Sequence, residues 1–294
     1  MISETNLTKQ LSQKFYFMEK AKRIAQEIVE FNKKLISNAD GEWDWINKNR
    51  RSKYLSSLNN AEKLEPILAD MFNNEATYGI FSYDGLNSQS NLRDLDEWKK
   101  SVKNRKDIGS SFGVLPDAPR HDYFAEKILE LKPKRILEIG GGYGGLILQI
   151  LRRNTKVQYV NIDLPETLYL AYNFLKRQGF DVHFSLDGSI KGQITLMPNT
   201  LKVKWNPDIV FNSASLSEMK KETALSYLKN IRTAWKPKYF YHMNSDYNLF
   251  PESKRHIEFI SSDFPLNGYN LIYRLPTGWQ GGGGRYREFL YKRK

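Results

Sequence analysis

Between Arg135 and Leu146 the chain reads RILEIGGGYGGL. Ile136, Leu137 and Ile139 form a short apolar run suited to a buried strand, and five of the next six residues are glycine. Gly140, Gly142 and Gly145 fall on a G-x-G-x-x-G spacing, with Gly141 and Gly144 in addition. Lacking a Cβ, such a backbone can turn sharply and let a ligand come close. The helix that follows points its free N–H groups at whatever lies over the turn. A second strand, VQYVNI, leads into Asp163. A carboxylate there accepts the hydroxyl protons of a ribose, as in the nucleotide-binding fingerprint. Strand, glycine turn, helix, strand and acid in this order constrain the fold far more than the glycines alone.

The rest of the second half keeps the alternation. Helices are expected over residues 143–153, 165–178 and 222–235, the second opened by Pro165 and stopped by Gly179. DVHFSL, PDIVFN and KYFYHM read as further strands. Residues 191–204 are ambiguous, with a loop over the site as one reading. NLIYRL and YREFLYKR alternate like an antiparallel pair joined through Gly281–Gly284. With Trp279, Arg285 and Tyr286 beside it, that loop is either a lid over an acceptor or a flexible hairpin tip. The expected fold is α/β, a doubly wound, Rossmann-like and mostly parallel sheet ending in an antiparallel strand pair. An α-helical region precedes it. Leu11, Phe15, Met18, Ile24, Ile28, Phe31 and Leu35 recur at helical spacing, and further helices are expected near 41–58, 61–72 and 92–105. We therefore expect a helical N-terminal domain over 1–116, serving the acceptor side or a homodimer contact, and a domain over 117–294 that carries the site.

Glu138 narrows the ligand. It lies two residues before Gly140 and gives E-x-G-x-G-x-G. A diphosphate cradle has little use for an anion at its mouth, whereas a ligand with a sulfonium and an amino group welcomes one. The stretch resembles motif I of the class I S-adenosylmethionine-dependent methyltransferases. LEIGGGYGGL, IDLPETLYLAYNFL and NSASLSEM together resemble, more narrowly, the bacterial sugar O-methyltransferases. That likeness covers about residues 134–246. It implies S-adenosylmethionine as cofactor and S-adenosylhomocysteine as product. It implies cofactor contacts at Glu138, Gly140, Gly142, Gly144, Asp163, Leu164 and Asn212, with Leu164 against adenine. It also sets Asp187 at the adenine amino group, although a plain turn residue is an equal reading of Asp187. The acceptor it implies is a hydroxyl on a surface glycan or on a nucleotide-linked precursor.

Methyl transfer from a sulfonium is an in-line displacement, so much of the catalysis is positioning. A sugar hydroxyl is a poor nucleophile and gains from a general base within hydrogen-bond reach. Glu218 after the fourth expected strand, His242 at the end of the fifth and His121 before the fold are the candidates, in that order of preference with the first two close. Each also has a structural reading, as a helix cap or a core histidine. No metal is expected, because the four histidines lack ligand spacing and no paired carboxylates end a strand.

Charge bears on the partner. Residues 1–130 hold 20 basic and 20 acidic residues, and residues 131–294 hold 25 and 13, so all of the +12 lies in the second half. Such a field concentrates an anionic acceptor, unless it is only a lysine-rich solvated surface. An RNA or DNA methyltransferase is a competing reading of that field. Nucleic acid is nevertheless not expected as partner: no N-P-P-Y-type site follows the fourth strand, and no appended RNA-binding module is visible. A small-molecule methyltransferase and a non-catalytic scaffolding relative of the fold also remain compatible with these residues. The polar N-terminus, the lack of an apolar run of about 20 residues and the lack of cysteine point to a soluble, cytoplasmic chain.

Overall fold

The computed structural model describes residues 19–41, 44, 47–48, 51–70, 118–246, 259–277 and 286–294. Its centre is an eight-stranded sheet. The strands are β1 (Arg135–Ile139), β2 (Gln158–Asp163), β3 (Val182–Phe184), β4 (Ile194–Pro198), β5 (Ile209–Ser213), β6 (Tyr239–Ser245), β7 (Tyr269–Pro276) and β8 (Tyr286–Arg293). Their order is β3-β4-β2-β1-β5-β6-β8-β7. The first six run parallel, and β8 is antiparallel to both β6 and β7. The expected α/β fold with its terminal antiparallel pair is the fold observed.

Alternate residues of β1 explain the layers. Ile136 faces a cluster that includes Phe124, Ile147 and Leu170. Those come from α4 (Ala118–Glu130), α5 (Gly145–Arg153) and α6 (Pro165–Arg177). Leu137 and Ile139 face a second cluster with Ala224, Leu228 and Phe264, to which α7 (Lys221–Asn230) contributes. The sheet is thus covered on both faces, which its nearly continuous apolar strands require.

One expectation is revised. Residues 191–204 are not simply a loop: Ile194–Pro198 form β4, all buried, inserted between β2 and β3. Gly192 and the polar neighbours on both sides hid a strand only five residues long. The N-terminal helices, α1 (residues 19–32), α2 (Ser52–Ser57) and α3 (Ala61–Asp70), share the core of the sheet. Ile24, Ile28, Tyr54, Leu64 and Leu68 belong to the same cluster as Phe124 and Leu170. Among the described residues, then, this region has no separate core; the expected boundary at 116 lies outside them. Phe31 of α1 stacks on Phe184 and meets Tyr172 edge-on, as a core residue of the expected helix would. The expected helix over 92–105 and the Gly281–Gly284 loop lie outside the described residues. So do Trp279 and Arg285.

Candidate functional site

In an open sheet the crevice lies beyond the carboxyl ends of the strands, where the winding reverses. Here that point is between β1 and β5, since β2 flanks β1 on one side and β5 on the other. A cleft of about 620 Å³, open to solvent, lies above it. Gly140, Gly142, Ile162, Asp163, Leu164, Asn199, Ser215, Met219, Thr223 and Tyr227 line the cleft, together with Asn38 and Asp40 from the N-terminal region.

The glycines do different jobs. Gly140 and Gly142 have φ of 71° and 58°, the left-handed region that a Cβ disfavours. A Cβ on Gly140 would strike Ser215, whereas one on Gly142 would meet nothing within 4 Å. The open space is therefore over Gly142, inside the cleft. Gly144 (φ 87°) caps α5 and packs on Leu175, away from the cleft lining. Glycine at 145 makes room for His121, and glycine at 141 makes room for Glu138 and Asn161.

Asp163 ends β2 at the cleft wall. Its Oδ2 accepts the N–H of Gly142 at 2.8 Å and its Oδ1 accepts its neighbour Leu164's N–H at 2.7 Å. Each oxygen keeps a lone pair for a further donor. Burial raises its carboxyl to about 7, against the opposing pull of those two N–H groups and of the Arg51 charge. Glu138 lies beneath the glycine turn, not on the cleft wall. It is 4% exposed and accepts the Tyr159 hydroxyl at 2.7 Å. Burial raises it to about 8, with the Asp163 charge adding to the rise and Tyr159 and Arg120 opposing it.

Asn212 is buried at the end of β5. Its amide donates to the Ile139 carbonyl at 2.8 Å and to Ser215, and its oxygen accepts from Asn244 at 2.7 Å. It thus ties β5 to β1 and holds Ser215, which is the member of the pair that reaches the cleft. Asp187 is brought to a different place. It lies on an exposed turn, bonded to the Ser189 N–H at 2.9 Å, and is absent from the cleft lining. Because β4 intervenes, the residue beside Asp163 is Asn199, whose N–H donates to the Asp163 carbonyl at 2.9 Å. The Asn199 side-chain oxygen is buried without a hydrogen-bond partner. A buried acceptor left unpaired next to the Asp163 carboxylate can receive a donor from a bound ligand. Sequence reasoning missed Asn199 because it missed β4; the signal was the TLMP run before it.

The three expected bases separate. His242 is fully buried, stacked with Phe289 and Tyr291 and tilted against Phe240 and Phe264. Burial lowers it to about 3, so it stays neutral, and it does not line the cleft. The position at a strand end misled because His242 has Asn244 and Ser245 beyond it inside β6. Glu218 ends the short 3₁₀ turn Leu216–Glu218 between Ser215 and Met219, both cleft residues, although neither Glu218 nor His121 is itself part of the cleft lining. It is 7% exposed, and the Tyr286 hydroxyl lies 3.4 Å from its Oε1. His121 packs on the first turn of α5, its Nδ1 3.4 Å from the Tyr143 hydroxyl.

The segment from Ser37 to Gly41 bridges the mouth. Ser37 and Asn47 both donate to Oε1 of Glu166, in the first turn of α6, at 2.8 and 2.5 Å. Asp40 accepts from the Thr223 hydroxyl and the Lys220 N–H at the start of α7. Two carboxylates at two helix N-termini anchor this strap favourably. No sequence pattern announced it.

No family model matches the chain, and no curated protein matches it. Among solved structures, the methyltransferase domain of bacterial CtHen1-C is 15% identical, covering 60% of this chain and 98% of its own, with a TM-score of 0.47. The mitomycin 7-O-methyltransferase MmcR is 13% identical over 99% of this chain and 98% of its own, at 0.43. The N-methyltransferase NodS from Bradyrhizobium japonicum WM9 is 13% identical over 61% and 99%, at 0.45. The chemistry of the cleft is read from its own residues. Among those described, no group of three or more His, Asp or Glu could hold a metal ion, and no helix is long and apolar enough to cross a membrane.

Proposed function

We propose that this protein is an S-adenosylmethionine-dependent methyltransferase and, within that class, an O-methyltransferase of a sugar hydroxyl on a surface glycan or its nucleotide-linked precursor. The observation that carries the first part is the row Gly142, Asp163, Asn199 along one cleft wall. It offers open space over a glycine turn, a carboxylate with two spare lone pairs and an unpaired buried amide oxygen. These match in turn the thioether arm, the ribose diol and the adenine amino group of the cofactor. Leu164 and Ile162 supply the apolar surface for the base. When bound, the cofactor supplies an electrophilic methyl group on a sulfonium.

The chain's own work is to orient and to accept a proton. Ser215, held by Asn212 and the Ile139 carbonyl, fixes the far side of the glycine turn. Glu218 is the residue we assign as base: it is buried next to the cleft, and a carboxylate there can take the hydroxyl proton as the new C–O bond forms. Tyr286 beside it limits the ways the carboxylate can turn. The sugar acceptor rests on the resemblance at Asn212, Ser215, Glu218 and Met219 and is supported by the polar side chains of Asn38, Asp40 and Thr223 at the mouth.

The test is calorimetry with S-adenosylmethionine, then transfer of labelled methyl to a panel of nucleotide sugars and glycan fragments. Glu218→Gln should keep cofactor affinity and lose about 10²–10⁴-fold in turnover, the usual worth of a general base. Full turnover in Glu218→Gln would remove the base assignment. Failure of the wild type to bind the cofactor would remove the whole reading.

A further inference from the structure

The sequence places all of the excess positive charge in residues 131–294. The fold puts much of it at the end of the sheet away from the cleft. Lys134 and Lys156 precede β1 and β2, Lys238 precedes β6, and Lys292, Arg293 and Lys294 end the antiparallel β8. All six belong to the edge of the sheet opposite the cleft, and all six are exposed. The register ties them into one row. The Gln158 N–H donates to the Lys134 carbonyl at 2.8 Å, and the Arg293 N–H donates to the Lys238 carbonyl at 3.0 Å. Lys292 is paired with Tyr239, and Arg293 with Tyr269. From β2 to β8 the row crosses five adjacent strands, about 19 Å at the usual strand spacing. Of the acids at this end, Asp208 lies within the row before β5 and pairs with Arg135, Glu130 pairs with Lys127, and Asp181 precedes β3, two strands beyond the row.

A second feature adjoins this floor. On the edge strand β7, two and three residues from the Tyr269–Arg293 pair, Leu271 and Ile272 are 50% and 53% exposed. A lysine-rich row beside exposed aliphatic side chains matches an anionic bilayer, whose headgroups attract the cations while its interface accepts the aliphatics. A nucleic acid held through its phosphates would use the row but leave Leu271 and Ile272 in water. We propose that the floor of the sheet is a docking surface for membranes rich in acidic phospholipid. The cleft then opens away from the membrane, about 16 Å above the floor by the length of β1. Resting on the methyltransferase reading, this favours a water-soluble, nucleotide-linked acceptor over a lipid-linked one.

The experiment is cosedimentation of the full chain with sucrose-loaded vesicles of phosphatidylcholine, with and without phosphatidylglycerol. Binding is expected only with phosphatidylglycerol and should weaken with salt. The triple variant Lys238→Gln, Lys292→Gln, Lys294→Gln should bind about 100-fold more weakly, at about fivefold per charge. Leu271→Ser with Ile272→Ser should lose the binding that persists at high salt. Both variants should melt like the wild type and bind S-adenosylmethionine equally, since none of these residues lines the cleft. Equal binding to neutral vesicles, no binding to acidic ones, or displacement from acidic vesicles by a single-stranded RNA would each overturn the proposal. Vesicle binding needs no methyl transfer, so its failure is distinct from failure of the proposed activity.

Discussion

Burial pushes the Asp163 carboxyl up to about 7, inside the physiological range, and this gives the proposed ribose contact a pH signature. Only the charged form can accept from Gly142, Leu164 and both hydroxyls of a ribose at once. With that pKa about one molecule in eleven is charged at pH 6 and about ten in eleven at pH 8, so affinity should rise about tenfold, or about 1.4 kcal/mol. The probe is 5′-methylthioadenosine, which carries the ribose and adenine but no group of its own that titrates in this range. Isothermal calorimetry at pH 6, 7 and 8 reads the effect directly. Asp163→Asn should bind weakly at every pH and show no slope. Glu138, near 8, lies under the turn and off the cleft wall, so it should add little to the slope. A flat wild-type profile would refute the ribose role of Asp163, and a slope that survives in Asp163→Asn would assign the titration to another group.

Glu138 should show itself in stability instead. Its carboxyl is held by the fold near 8, above its ordinary 4.5, so the folded state binds the extra proton and stability falls as pH rises between those values. Glu138→Gln, whose amide oxygen still accepts from Tyr159, should melt higher than wild type at pH 8, by on the order of a few kcal/mol in stability, and match it near pH 4.5 in thermal scans. Gly142→Ala should fold with a loss of about 1–2 kcal/mol from its left-handed backbone yet fail to bind cofactor in calorimetry, because its methyl enters the open space. Gly145→Ala should lose more stability by denaturant melt, since its methyl meets the His121 ring and the Tyr143 hydroxyl. Asn199→Leu removes an unpaired acceptor, so the empty protein should be no less stable, while cofactor affinity should drop by about 1–3 kcal/mol in the same calorimetry.

What was legible in the sequence was whatever a local pattern dictates. The glycine run, Asp163 and the alternation of strands and helices each follow from short-range backbone needs, and the sheet contains them where they were expected. What was not legible depended on strand order. A five-residue strand, β4, takes the place beside β2, and that one insertion puts Asn199 rather than Asp187 next to Asp163. His242 lies away from the cleft for a related reason: a strand end in the sequence is short of the strand end in space, and the ring packs against Phe264 and Phe289. The strap from Ser37 to Gly41 was invisible because its partners, Glu166 and Thr223, are more than a hundred residues away in the chain. Yet its chemistry is simple, a carboxylate at each of two helix N-termini. The same reasoning limits what charge composition can say. A net +12 was compatible with a basic cleft or a basic floor, and only the register of β6 against β8 decides between them, because it carries the last three residues of the chain down to Tyr239 and Gly268, at the end of the sheet away from Asp163.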